Sequence, residues 1–224
     1  MIVISPHLDD AVLSCGQLLA RSPGSVVLTV FAGVPRNAHQ RAEWDVRCGL
    51  GEAGVAISRR RDEDLHALRL LHAEPVWLDF CDAQYGEPAD THHIAAELRL
   101  LFASLGVQRV LYPLGLFHED HLQAHAATRL ALQGLQHIHG WAYEDVPYRG
   151  KAGVVDQRIA QLAQAGLRAR RTHAMCEPQA RALKLQALEH YASQLREIGP
   201  GAHHDAQAPE RLWKLETDEA NDAS

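Results

Sequence analysis

Cysteine is scarce in this chain, and no pattern gives it a role. Cys15, Cys48, Cys81 and Cys176 are spread over 224 residues without any C-x-x-C spacing. That excludes a zinc knuckle or a dithiol redox pair and leaves no disulfide framework. No apolar run approaches the ~20 residues of a membrane span. The opening Met1 to Ile4 runs almost directly into Pro6, His7, Leu8, Asp9 and Asp10. A secretory signal would need a basic start and a long apolar middle, so a reducing cytoplasm is the expected setting. Positive charge is not in excess either. The net charge is −6, which gives no footing for general nucleic-acid binding. Internal repeats and low-complexity tracts are also missing.

What remains is an ordinary globular composition, 46% hydrophobic and 22% charged, in a length that suits one domain spanning 1–224. The unusual feature is the 15 histidines, which favour a metal site. The stretch from Ile4 to Ala20 organises the chain. A short buried strand, Met1 to Ile4, leads into His7, Asp9 and Asp10, and a helix follows through Val12, Leu13, Leu18 and Leu19. His7 and Asp10 are three apart, so in a first helical turn they can face one point. The competing reading is that Asp9 or Asp10 merely caps the helix.

The rest alternates between strands and helices. Ser25–Phe31, Pro75–Phe80, Gln108–Tyr112 and His137–Tyr143 read as buried strands, and Arg168–Ala174 as a late one. Helical patterns cover Arg59–Leu71, Thr91–Leu105, the residues after His121 through Leu132, and Gln179–Arg196. This is the pattern of a three-layer α/β/α sandwich with a Rossmann-like, mostly parallel sheet. Ala32–Ser58 reads as a long connection in which Trp44 and Asp45 either line a pocket or cover the sheet edge. The triple Arg59-Arg60-Arg61 with Asp62-Glu63-Asp64 reads as a solvated helix face, with one arginine such as Arg60 turned inward towards Glu63. Asp79 and Asp82 sit where a loop leaves the C-terminal edge and are candidate pocket residues. The polar end from Gly199 is expected to pack back through Trp213 and then to trail off as a loose acidic tail from about 215.

A second strand-loop-helix junction, after Tyr112, carries His118, Glu119, Asp120 and His121. If its strand lies beside the first, the two junctions face each other at the switch point where open α/β sheets bind ligands. A hydrolytic zinc site takes three protein ligands and leaves one position for water. His7 and Asp10 supply a close pair, and the distant ligand comes from His118, His121 or His125. Spacing does not choose, since His118/His121 are i, i+3 and His121/His125 are i, i+4. Asp9, adjacent and free, suits the proton acceptor such a site needs.

The motifs PHLDDAVLSCG and HEDH together resemble the PIG-L/LmbE family of zinc-dependent N-deacetylases. The resemblance extends to Arg60 with Glu63, to Asp82, and to the Lys184 helix with its Tyr-Ala-Ser-Gln end. It implies that His7, Asp10 and His121 hold zinc, with iron(II) also acceptable to two histidines and a carboxylate. It implies that Asp9 is the general base. His118 would stabilise the tetrahedral oxyanion and protonate the amine, and Asp120 would orient one of the histidines. Arg60 and Asp82 match positions linked to substrate binding, and Glu144 is a further expected sugar contact. His125 becomes a core or supporting residue. Leu8 and Ala11 stand where the family signature has Pro and Glu.

The expected activity is metal-dependent removal of an N-acetyl or related acyl group from an amino sugar or its conjugate. The substrate is a small molecule and homo-oligomerisation is possible. Two alternatives stand beside it: a hydratase acting on an unsaturated carboxylic acid, and a non-catalytic metal-binding module. Acidic loop residues outnumber cations, which favours the deacetylase.

Overall fold

The structure, a computed structural model, describes residues 1–173 and 177–217. Its centre is a seven-stranded sheet. In chain order the strands are β1 (Ile2–Ser5), β2 (Val26–Thr29), β3 (Glu74–Trp77), β4 (Arg109–Pro113), β5 (His139–Tyr143), β6 (Leu167–His173) and β7 (Arg211–Thr217). They lie in the order β3-β2-β1-β4-β5-β7-β6. The first five are parallel neighbours, and β7 runs antiparallel between β5 and β6. All four residues of β1 are buried, as expected of a central strand covered on both faces.

Two helical layers supply that cover. Helices α4 (Thr91–Leu105), α5 (Glu119–Leu132) and α7 (Val154–Gln164) pack Ile94, Leu98, Phe102, Ala127 and Leu162 against Ile4, Leu28, Val110 and Ala142. On the other face, α1 (Asp10–Ala20), α3 (Ala53–Leu70) and α8 (Pro178–Leu188) pack Leu13, Leu19, Leu68 and Leu188 against Val3, Val27 and Leu111. Alternate strand residues thus serve opposite layers, and the result is a three-layer α/β sandwich.

Several segments differ from the sequence expectation, each for a physical reason. Helix α3 starts at Ala53 rather than Arg59. Ala53, Ala56, Ile57 and Arg60 lie on its buried side at helical spacing, but small residues and glycines disguise the pattern. Its charge run is not a solvated face, because Arg60, Glu63 and Asp64 are all buried. Arg60 does turn inward, though not to Glu63. It pairs with Asp45 at 2.6 Å, while Glu63 takes Arg59 at 3.2 Å and the Ser193 hydroxyl at 2.6 Å. The long connection also contains a short helix α2 (Glu43–Arg47).

Gln179–Arg196 is two helices, α8 and α9 (Ala192–Ile198), broken before the buried Tyr191. The Tyr191 hydroxyl donates to Asp64 Oδ1 at 2.7 Å. Short helices α6 (Val146–Arg149) and α10 (Pro200–Ala206), and α7, were not anticipated. Nor was β7, whose alternation is masked by Arg211, Lys214 and Glu216. Its Trp213 does pack back, with Nε1 donating to Glu144 Oε1 at 3.0 Å. Strand β7 continues through Thr217, slightly past the point near 215 from which a loose tail is expected. The remainder of that segment, like Ala174 and Cys176, lies outside the described residues. Cys15, Cys48 and Cys81 are free and buried. Among the described residues no helix is long and apolar enough to cross a membrane.

A buried ion pair ties α8 and the approach to β7 onto α1. Lys184 Nζ lies 3.0 Å from Glu210 Oε1, with both side chains almost wholly buried. Glu210 also accepts the backbone N–H groups of Gln17 and Leu18 at 2.8 and 3.0 Å. Gly16 makes the approach possible, since a Cβ there would sit 2.6 Å from Lys184 Cγ. Removing one partner of such a pair strands a buried charge. Lys184→Ala is therefore expected to destabilise the fold by about 3–5 kcal/mol, read from urea denaturation. A loss no larger than that of an exposed substitution would contradict this reading.

Candidate functional site

The two histidine- and aspartate-bearing junctions meet because β1 and β4 are adjacent and parallel. The chain leaves β1 towards β2 on one side and β4 towards β5 on the other. A crevice therefore opens between the C-terminal ends of β1 and β4. His7 and Asp10 come from the turn entering α1, and His118, Asp120 and His121 from the start of α5.

Within the first junction, Asp10 Oδ2 accepts the His7 backbone N–H at 2.9 Å and lies 3.2 Å from His7 Nδ1. Asp9 occupies the N-cap position, yet its side chain makes no capping hydrogen bond. Capping thus fails to account for either carboxylate. Across the crevice, His121 Nε2 lies 3.2 Å from the same Asp10 oxygen. His7, Asp10 and His121 bring their ligand atoms within 4.8 Å of one another. His121 Nε2 is buried without a hydrogen-bond partner among the described residues. An orphaned imidazole nitrogen aimed at a carboxylate and a second imidazole fits a divalent cation of the zinc or iron(II) type. A second trio, His7, His118 and Asp120, converges equally closely on the other side of the His7 ring.

The supporting contacts come from three loops. Asp120 Oδ2 lies 2.8 Å from His7 Nε2 and accepts the Ala83 N–H at 3.2 Å. Asp145 Oδ1 lies 2.6 Å from His121 Nδ1. His118 heads α5, and its Nδ1 accepts the Asp120 N–H at 3.2 Å. That contact assigns the hydrogen of a neutral His118 to Nε2. The His118 ring stands edge-on to His7 with centroids 5.3 Å apart.

The charges perturb one another strongly. Burial and the neighbouring Asp10 push Asp9 up to about 8, against the pull of His7, Arg60 and His121. Burial also opposes ionisation of Asp10, but His121 and His7 outweigh it and hold that carboxyl well below its usual range. Burial works against a charged His121, yet Asp10 and Asp145 raise it to about 9. His7 is likewise raised, its burial overcome by Asp10 and Asp120. His118 is lowered by burial and by the other two histidines, which keeps it neutral near pH 7.

His7, Asp9, Asp10 and His118 floor a cavity of about 370 Å³ whose lining also includes Arg60 and Asp82. Trp44, Phe31, Ile57 and Tyr148 form apolar walls, and Gln194, Glu197 and Lys151 add polar groups. Trp44 thus lines the pocket, while Asp45 lies beneath it, holding Arg60 and accepting the Tyr85 hydroxyl at 2.8 Å. Asp82 accepts the Gln84 N–H at 3.0 Å and stands 3.9 Å from His7 Nε2.

Two pocket candidates, Glu144 and Asp79, lie elsewhere. Glu144 does not line the cavity; it accepts from Trp213 and Arg211 (3.0 and 3.2 Å) and borders a separate depression. Its neighbour Asp145 is the residue that reaches the cluster. Asp79 is exposed and paired with Arg61 at 3.3 Å. His125 is buried away from the cavity, with Nδ1 2.9 Å from the Pro113 carbonyl oxygen. At the two departures from the family signature, Leu8 is buried, lines the cavity and accepts the Gln194 side-chain amide at 2.6 Å. Ala11 packs into the α1 side of the core.

A Rossmann-like sheet with a two-histidine, one-carboxylate cluster at its switch point and a free carboxylate alongside defines a class of metal-site α/β proteins. Within that class the chain belongs to the PIG-L family, whose pattern, described as GlcNAc-PI de-N-acetylase, matches residues 2–132. It is 33% identical over 175 residues to a 2'-N-acetylparomamine deacetylase of Streptomyces fradiae, covering 69% of this chain and 60% of that protein. The chain thus spans less than two thirds of that relative's length. Among solved structures it is similar to an A40926 pseudoaglycone deacetylase, with 29% identity, a TM-score of 0.79 and 96% of both chains covered. It also resembles a triple mutant of a deacetylase of the teicoplanin biosynthetic pathway, with 25% identity and a TM-score of 0.81, covering 98% of this chain and 99% of that one.

Because His7 and His121 hold protons more tightly than ordinary histidines in the metal-free protein, a cation must displace those protons. Zinc affinity is therefore expected to rise as pH increases from 6 to 9, with proton release detectable by titration calorimetry in buffers of different ionisation enthalpy. An affinity independent of pH over that range would contradict the charge arrangement described.

Proposed function

We propose that this protein is a metal-dependent N-deacetylase acting on an N-acetylated amino sugar or its conjugate. One observation carries the reading. His7, Asp10 and His121 converge on one point, with the uncapped Asp9 beside them in the floor of a substrate-sized cavity. When bound by those three residues, zinc or iron(II) supplies a Lewis acid that polarises the amide carbonyl and acidifies water.

The chain's own groups do the rest. Asp9 takes the proton of the attacking water, and a carboxyl that burial and Asp10 lift to about 8 retains that proton until the leaving nitrogen takes it up. Neutral His118 donates from Nε2 to the oxyanion that develops on the former carbonyl oxygen. The proton held by Asp9 then passes to the leaving nitrogen as the C–N bond breaks, giving acetate and a free amine. Asp120 steadies His7 through Nε2. Arg60, held by Asp45, and Asp82 offer hydrogen bonds to sugar hydroxyls, while Trp44 and Tyr148 provide faces for the ring's C–H surface.

The similarity to the 2'-N-acetylparomamine deacetylase and to the A40926 and teicoplanin-pathway deacetylases supports an amino-sugar acceptor. The hydratase alternative is less favoured. Arg60 is the cavity's deeply buried arginine and is already matched to Asp45, leaving little fixed positive charge for a dicarboxylate.

The deciding experiment is acetate release from a panel of N-acetylhexosamines and larger N-acetylated conjugates by zinc-loaded protein, with Asp9→Asn as control. Release is expected from at least one acceptor. In the variant it should fall by about 10²–10⁴-fold, the usual contribution of a positioned base, with metal content unchanged. Release that persists undiminished in the variant would remove Asp9 from the role of base. A panel without release, alongside turnover of unsaturated carboxylic acids, would overturn the deacetylase reading.

A further inference from the structure

We propose that Asp145 is the positioning residue of the cation site, locking His121 in the tautomer whose Nε2 lone pair is free to bind metal. The inference rests on the metal reading proposed above. Asp145 is the second residue past the end of β5 and is fully buried. Its two oxygens have separate tasks. Oδ2 accepts the backbone N–H groups of Gly115 and Leu116, both at 3.2 Å. Oδ1 lies 2.6 Å from His121 Nδ1.

An ionised carboxylate can only accept. The hydrogen between Oδ1 and Nδ1 therefore belongs to the imidazole. In the neutral ring, Nε2 is left as an acceptor, and this is the nitrogen that has no hydrogen-bond partner and faces Asp10 at 3.2 Å. The two backbone donors fix the carboxylate's rotation, so it cannot turn away. The loop that supplies them depends on Gly115, which has φ +81 and would bring a Cβ to 3.1 Å from His125 Cβ. The same contact joins the loop after β4 to the end of β5, so the ligand is held by two strands of the rigid sheet. Buried carboxylates that orient a ligating histidine act on affinity in this way.

Asp145→Asn separates this role from a merely structural one. Its amide oxygen can still accept from Gly115 and Leu116. The NH2 group then faces His121 Nδ1, which must accept, and the ring hydrogen moves to Nε2, where it blocks the cation. Zinc affinity, measured by competition with a chromophoric chelator, is expected to fall about 10–100-fold. The melting temperature of the metal-free protein should change little.

A second measurement needs no variant. Long-range ¹H–¹⁵N spectra of the zinc-loaded, unmodified protein should show His121 protonated at Nδ1 and coordinated through Nε2. Unchanged zinc affinity in Asp145→Asn would overturn the assignment, as would a lowered melting temperature with no loss of affinity. A His121 without hydrogen on Nδ1 would overturn it too, even if the variant failed to fold. Failure of the unmodified protein to bind zinc is a different result: it would overturn the metal reading and this assignment with it.

Discussion

The cost of burying charge governs this structure. Asp10, Asp120, His121 and Asp145 are all nearly inaccessible, and isolated charges at such depth would not be tolerated. They persist because each answers another. Asp10 faces two imidazoles, Asp120 holds one face of His7, and Asp145 holds the back of His121. The sheet makes this possible by opening at the β1/β4 switch point, where strand ends from two directions deliver polar side chains to one place. The same logic recurs in the Lys184–Glu210 pair and in Arg60–Asp45–Tyr85. Polar networks of this kind are stable when complete and costly when half-satisfied.

Asp9 is the exception within the cluster, and that gives it a chemical use. It occupies the position of a helix cap without capping. Burial and the neighbouring Asp10 lift it to about 8 in the metal-free protein. A carboxylate already committed to backbone donors would be a poor base, whereas the Asp9 side chain takes no capping donor at the head of α1. His118 is complementary. Its Nδ1 is occupied by the Asp120 backbone N–H, so its one remaining hydrogen is directed by the start of α5 rather than by a flexible side chain.

How much of this was legible in the sequence varied with the physics involved. The central parallel strands were readable because burial on both faces writes a continuous apolar run. The two junctions were readable because His7, Asp9, Asp10, His118, Asp120 and His121 are local in sequence. Elements on the far side of the sheet were not. Strand β7 alternates hydrophobic residues with charges that find partners only across the sheet, and α3 carries buried charges that mimic a solvated face. Glu144 and Asp145 show the limit most clearly. Adjacent residues at a strand end point in opposite directions, so two carboxylates that look equivalent in sequence went to Trp213 and Arg211 in one case and to His121 in the other.

By itself, then, the sequence determined the layered α/β class, the family and the set of groups able to bind a cation or move a proton, because these depend on composition, periodicity and short-range spacing. Tertiary structure alone decided which histidine of the second junction meets Asp10, that Asp45 rather than Glu63 answers Arg60, and that Asp145 stands behind His121. Those pairings join residues separated by 15 to 111 positions. They follow from strand order and side-chain direction, quantities that exist only once the sheet has closed around its core.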